Sequence, residues 1–348
     1  LVIRRLIMEI QKIMMIVLLL ATLMSCSSIN GKPIPVPSEE NFWNLDENQY
    51  LPFVDSLICE PIAALIKSDL QNKFAKLDPA FSGFNLPNTF ILDDDSISIG
   101  IQYMIRKGNM CSKLLRTDLS MNLINLSSES FYGLENPKYF KGSVCLHTFD
   151  IDDNKDYTED YTNDAYWNVL YNDDTLVYNT KLLNDDLLKL RNRLLLSNNI
   201  QNATDITPNN CFFGKDKYYA YNPETHVLFE YNLISDEVVT YNFLTGNPIY
   251  ERDVLGKRGI FDFQGVCQDY AVFTQYDNWI TVMVDLKTNS PYIFKSTRIS
   301  DKCGIRGVMG QGYGSSGVDV YVSENHIYYL FGLDQKGPGL DTYIVKLF

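Results

Sequence analysis

Histidine is nearly missing from this chain: His147, His226 and His326 are the only three in 348 residues. None stands four residues from another, so neither HxxxH nor HExxH is present and a zinc site of that build is excluded. GxSxG is also absent, which removes the nucleophile elbow of hydrolases. With no CxxC, neither a zinc knuckle nor a thioredoxin-like redox pair is expected. Basic residues are in short supply too, 30 Lys and Arg against 43 Asp and Glu, for a net charge of −13. Nucleic acid, which is held largely by neutralising phosphates, is therefore excluded as a partner class. The same repulsion disfavours direct adhesion to anionic lipid. Finally, no apolar run reaches the roughly 20 residues that a membrane-crossing helix needs.

The longest apolar run, Ile13 to Leu23, follows Lys12 and, further back, Arg4 and Arg5, and it ends in "LMSCSS". A basic start, a short apolar centre and small residues at the end are the parts of a secretory signal. Met8 to Ser25 is a complete signal by itself. Leu23-Met24-Ser25-Cys26 resembles the lipobox of bacterial lipoproteins, in which the chain is cut before the cysteine and the thiol receives a diacylglyceryl group. The expected organisation is a signal at 1–25, a lipid anchor on Cys26 with a Ser- and Pro-containing tether at 26–42, and a folded domain at 43–348. Ser27, a non-acidic residue after the cysteine, resembles an outer-membrane address. The acidic run of a surface-export signal does not follow Cys26, so the expected placement is on the outer membrane, facing the periplasm.

The other six cysteines are Cys59, Cys111, Cys145, Cys211, Cys267 and Cys303. An even number in an exported chain permits up to three disulfides, and if all pair there are fifteen connectivities among which sequence does not choose. Cys111 and Cys145 sit in apolar, strand-like runs and read as buried thiols.

Along the domain, Asp55 to Leu77 carries Ile58, Ile62, Leu65, Ile66, Leu70 and Phe74 at spacings of three and four, which predicts one amphipathic helix with Pro61 in an early turn. A second helix is predicted from Asn184, with Leu187, Leu190 and Leu194 on one face. Elsewhere short runs of Tyr, Phe, Val and Ile alternate with Asn, Asp and Gly turns, the pattern of strands. These strands recur. "KYYAYNPETHVLFEYNLISDEVVTYNF" from Lys217 and "DYAVFTQYDNWITVMVDLKTNSPYIFKS" from Asp269 both read strand, turn, strand, Asn-Leu or Asp-Leu step, turn, strand. Extended through Asp118, Asn179 and Lys346, the period is about 53 to 61 residues. A unit of that size cannot bury both of its faces alone, and radial stacking of such units makes a β-propeller.

The lipobox, this period and the Tyr- and Asn-rich strands of residues 96–348 together resemble the TolB-like six-bladed propellers, and among them the propeller lipoproteins of Bacteroidota. The resemblance implies an all-β chain: a β-propeller of six blades with one or two short helices near the N-terminus and an insertion. A pair of β-sandwiches or an irregular β-solenoid is the alternative. The Gly-His and Trp-Asp marks of WD40 blades are absent.

Several stretches resemble chemistry. "GYGSSG", Gly312 to Gly317, matches GxGxxG, but a strand pattern rather than a helix follows it, so a dinucleotide has no helix N-terminus to meet. The wider glycine-rich segment from Cys303, with Arg306 and Tyr313, reads as a loop at a blade end and supplies candidate ligand-binding residues. Trp279, after the turn "QYDN", is a third candidate, as a stacking platform for a glycan. Asp150, Asp152, Asn154 and Asp156 alternate like the first half of a calcium loop, a candidate metal site, although Lys155 and Tyr161 stand where an EF-hand needs Gly and Glu. No catalytic residues and no organic cofactor are assigned. The expected function is a membrane-anchored binding or scaffolding module for a protein or glycan partner. A glycan-processing or calcium-dependent envelope enzyme and a purely structural envelope protein are the alternatives.

Overall fold

The computed structural model describes residues 51–83, 89–93, 97–107, 109–126, 132–149, 166–170, 176–177, 180–197, 206–223, 225, 227–242, 262–275, 278–308, 317–333 and 341–348. The expected signal, Cys26 and the expected tether lie outside them. Among the described residues no helix is long and apolar enough to cross a membrane.

The chain starts with a short helix α1 (Leu51–Ser56), strand β1 (Cys59–Leu65) and helix α2 (Lys67–Leu77). The single helix expected over Asp55–Leu77 is thus a correction: its middle is a strand. Spacings of three and four in that stretch are real, and α2 does bury Leu70 and Phe74. Cys59 to Leu65, however, pairs antiparallel with the C-terminal strand, from Cys59 opposite Leu347 to Leu65 opposite Thr342. Tertiary pairing outweighs local periodicity here. Pro61 fits because β1 is an edge strand and the register shifts between Pro61 and Ala63, where a missing N–H costs nothing.

Next come β2 (Phe81–Gly83), β3 (Thr89–Asp93), β4 (Ser98–Lys107), β5 (Asn109–Thr117) and β6 (Leu123–Leu126), which form one five-stranded sheet. Strands β7 (Tyr132–Phe140), β8 (Ser143–Phe149), β9 (Tyr166–Leu170) and β10 (Leu176–Val177) form an antiparallel meander, followed by helix α3 (Thr180–Leu196). A second meander contains β11 (Cys211–Phe213), β12 (Lys217–Asn222), β13 (Val227–Asn232) and β14 (Val238–Asn242). The two meanders join into one eight-stranded sheet through a single parallel pair, Phe213 opposite Phe140. Strands β15 (Asp262–Cys267), β16 (Tyr270–Gln275), β17 (Ile280–Asp285) and β18 (Ser290–Lys295) make the next meander and lead into helix α4 (Thr297–Lys302). Last, β19 (Val318–Val322), β20 (Ile327–Leu333) and β21 (Asp341–Leu347) take β1 as their fourth strand.

The first strands of these four meanders, β7, β11, β15 and β19, lie side by side in a ring, each against the next and β19 back against β7. The arrangement is propeller-like, with four blades among the described residues rather than the six expected from the period. The β2–β6 sheet stands beside the ring, β5 against β7 and β3 against β8.

Strand alternation explains why the blades stack. In β12, Tyr219 and Tyr221 join the main core, while Tyr218 and Ala220 join a second cluster with Phe213, Phe229 and Tyr231. Side chains one residue apart point to opposite faces, and here both faces are apolar. Helix α3 covers the second face with Leu187, Leu190 and Leu194, as its spacing predicts. It begins at Thr180, one turn before the expected Asn184. Asp186 therefore lies inside the helix, where it accepts a hydrogen bond from the Tyr218 hydroxyl and pairs with Lys141 at 2.6 Å.

Candidate functional site

Antiparallel meanders send their connections alternately to two ends, and the ring has two unlike ends. At one end sit the tight turns between first and second strands: Lys141-Gly142, Gly214 to Asp216, Gln268-Asp269 and Ser323 to Asn325. Glu324 gathers them. Its carboxylate accepts the Lys215 N–H at 2.9 Å and the Tyr139 hydroxyl at 2.9 Å, and its carbonyl accepts the Gln268 N–H at 2.8 Å. The Lys141 N–H donates to the Phe213 carbonyl at 2.7 Å. All four blades are tied by these bonds.

Beside this clasp lies a cluster of titratable groups that includes Glu230, which is buried. Its carboxylate takes the Lys217 ammonium at 2.6 Å and the Tyr241 hydroxyl at 3.1 Å. Burial, and then the nearby Glu230 charge, push the Tyr219 and Tyr241 hydroxyls well above the ordinary tyrosine range. Each oxygen of the Glu230 and Glu324 carboxylates has a donor, so the cluster is built as a clasp; acid–base work would need an oxygen open to substrate.

The interior of the ring is filled. A Cβ on Gly265 would stand 2.5 Å from the Phe212 ring and 3.0 Å from Val322, so β11, β15 and β19 meet at a point where only glycine fits. Tyr139 stacks on Phe212, ring centroids 5.4 Å apart. Lys138 reaches across from β7, its ammonium donating to the carbonyls of Asn209 at 2.6 Å and Phe263 at 3.1 Å. Burial pulls its pKa down to about 8, with the charge of Asp262 partly opposing. Its two bonds tie the start of β15 and the turn before β11 to β7.

The opposite end carries the connections between second and third strands and those from one blade to the next. Among the described residues this end carries the strand ends Phe149, Tyr166, Asn242, Asp262, Leu333 and Asp341, and residues 303–308 after α4. Two of the candidates from sequence fall here within the described residues. Arg306 is exposed, four residues past the end of α4. Trp279 is half-buried and packs against the main core, and its carbonyl accepts the N–H of Ser296 at the start of α4. The two thus stand at opposite ends of a six-residue helix, not side by side. Tyr313 lies outside the described residues, as do Asp150, Asp152, Asn154 and Asp156. Among the described residues no group of three or more His, Cys, Asp or Glu is placed to hold a metal ion.

Sequence reasoning missed Lys138, Glu230 and Glu324. Glu230 had a visible signal, a single acid inside the apolar run "VLFEYN". Lys138 and Glu324 had none, since their partners come from other blades.

No family model matches the chain, and no curated protein matches it. A solved structure of a luciferin-regenerating enzyme aligns over 74% of this chain and 76% of its own, at 10% identity and a TM-score of 0.32. A likeness that slight carries no argument about either fold or activity.

Proposed function

We propose that the chain is an exported lipoprotein, anchored in the outer membrane through Cys26 and facing the periplasm, whose β-propeller is a binding or scaffolding module for a protein or glycan partner. One observation carries the choice of an end face as its working surface. Inner strands meet tightly at Phe212, Gly265 and Val322 and are clasped at one end by Glu324, while exposed Arg306 belongs to the other end. Binding residues gather on loops held by a rigid scaffold. Arg306, Trp279 and Tyr313 are the proposed ligand-facing residues. The anchor rests on the lipobox Leu23 to Cys26. The kinship with TolB-like propellers and the count of six blades belong to the same proposal; the sequence period supports six, and the β2–β6 sheet supplies a unit beyond the four.

The test is affinity capture of the tagged, lipidated protein from detergent-solubilised membranes, beside Cys26→Ala and Arg306→Glu. A near-stoichiometric protein partner that Arg306→Glu releases supports the face. Recovery of the chain alone, together with no retention on a glycan array, overturns the binding reading. Incorporation of a fatty-acid probe that Cys26→Ala abolishes is the expected result for the anchor.

A further inference from the structure

Cys59 opens β1, the outermost strand of the closing blade, and Cys303 ends α4. The Cys59 thiol donates to the Leu57 carbonyl at 3.7 Å, the same carbonyl that takes the ammonium of Lys302, the neighbour of Cys303, and each thiol perturbs the ionisation of the other. The approach is set by Lys302, whose ammonium donates to the carbonyls of Val54 at 3.0 Å, Asp55 at 2.5 Å and Leu57 at 2.6 Å. Lys302 and Leu57 are 245 residues apart in sequence, so this contact exists only in the closed ring. Both thiols are half-buried at the border of the main core, whereas Cys211 and Cys267 are buried.

We infer that Cys59 and Cys303 form a disulfide that bolts the closing strand β1 to the end of α4. The inference takes its oxidising compartment from the export reading above. The oxidant is a disulfide of the glutathione or oxidoreductase kind. One cysteine thiolate attacks it and releases one thiol; the second cysteine then attacks the mixed disulfide and releases the other. One S–S bond forms in the protein and one is broken in the oxidant, with both protons ending on the released thiols. Burial pushes the Cys59 thiol up to about 11, against the pull of Lys302, and raises Cys303 as well. Linking is therefore expected to speed up with pH across the neutral range, as the thiolate fraction grows. A bond across so long a loop removes much of the unfolded chain's freedom, and it does so where the first strand joins the last blade.

The experiment is to oxidise the purified protein with oxidised glutathione, alkylate remaining thiols, and map proteolytic peptides by mass without reduction. The expected result is a Cys59 peptide joined to a Cys303 peptide. Dithiothreitol should then lower Tm by about 5–15 °C, and Cys303→Ser should erase that dependence. Alkylation of both cysteines in the oxidised protein, with no joined peptide, overturns the inference. Should Cys303→Ser fail to fold, the wild-type map decides alone. A bond found in vitro but missing from protein taken directly from cells supports the pair and counts against the export reading.

Discussion

The β15–β18 blade and the closing blade β19-β20-β21-β1 have the same four-stranded plan but are specified differently. The first is written in consecutive residues and repeats its neighbour β11–β14 atom for atom at one turn. Asn232 Oδ1 accepts the N–H groups of Ile234 at 2.9 Å and Ser235 at 3.1 Å; Asp285 Oδ1 accepts those of Lys287 at 2.8 Å and Thr288 at 3.2 Å. The next N–H donates back across each hairpin, Leu233 to Asp216 at 2.9 Å and Leu286 to Asp269 at 2.8 Å. Four residues after each Asx comes a left-handed residue, Asp236 at φ 58° and Asn289 at φ 54°, of types that tolerate it. The closing blade has no such signature for its fourth strand, which arrives from the other end of the chain. Local turn chemistry specifies the one, and burial together with long-range pairing holds the other.

Damage to the closing blade should therefore cost most. Ile344 is fully buried in β21, opposite Ala63 of β1. Ile344→Ala is expected to destabilise by about 2–5 kcal/mol through lost burial and a residual cavity, read as a lower urea midpoint. A loss no larger than that of a turn variant would show that closure contributes little to the ring. Next in size is the point where three inner strands meet. Gly265→Ala places a methyl against Phe212 and Val322 and is expected to cost about 3 kcal/mol, lowering Tm without changing the behaviour of the turns.

These contrasts explain what was legible. The repeat, the strands and the apolar face of α3 were readable because each depends on neighbours in sequence. Of the steps placed by the same period, Lys346 falls on the third strand β21 and Asp118 directly follows β5. Asn179, the remaining step, lies outside the described residues. β1 was misread because its seven residues satisfy a helical spacing, and only Leu347 to Thr342, far along the chain, make it a strand. Arg306 was read as part of a blade-end loop and Trp279 as following a turn, while the helix α4 that stands between them in the chain was invisible. Lys138 and Glu324 were unreadable because their hydrogen bonds cross blades, which no local pattern records.

A third test addresses the seam between the two blades compared. The Tyr329 hydroxyl donates to Thr281 Oγ1 at 2.9 Å, and Thr281 in turn contacts Ser296 Oγ at 2.8 Å. Burial pushes the Tyr329 hydroxyl above the ordinary tyrosine range, with the bond to Thr281 opposing weakly. The folded state then keeps a proton that the unfolded chain releases near pH 10, so the contribution is full below about pH 10 and falls as pH rises beyond it. Tyr329→Phe is expected to cost about 1 kcal/mol at neutral pH and to flatten part of the alkaline loss. Tyr218, Tyr219, Tyr221 and Tyr241 are shifted the same way, so a slope remains. Urea midpoints measured at about pH 8 and pH 11 check this. An unchanged slope in the variant would remove Tyr329 from the account.

The smallest effect sharpens the comparison most. Asn232→Ala and Asp285→Ala each delete two hydrogen bonds from an exposed turn, and each is expected to cost about 0.5–1 kcal/mol. If the two blades are one unit written twice, the losses match and the double variant shows their sum, since the turns share no partner. Asp285→Asn and Asn232→Asp should be close to neutral, because either side chain supplies the accepting Oδ1. A loss at one turn several times that at the other would mean that the resemblance is confined to geometry, with the neighbouring Lys287–Asp269 pair or the Arg193–Asp236 contact supporting one copy. Equal small losses beside a large one at Ile344 would establish that the turns set the register of each blade while the closing strand sets the stability of the ring.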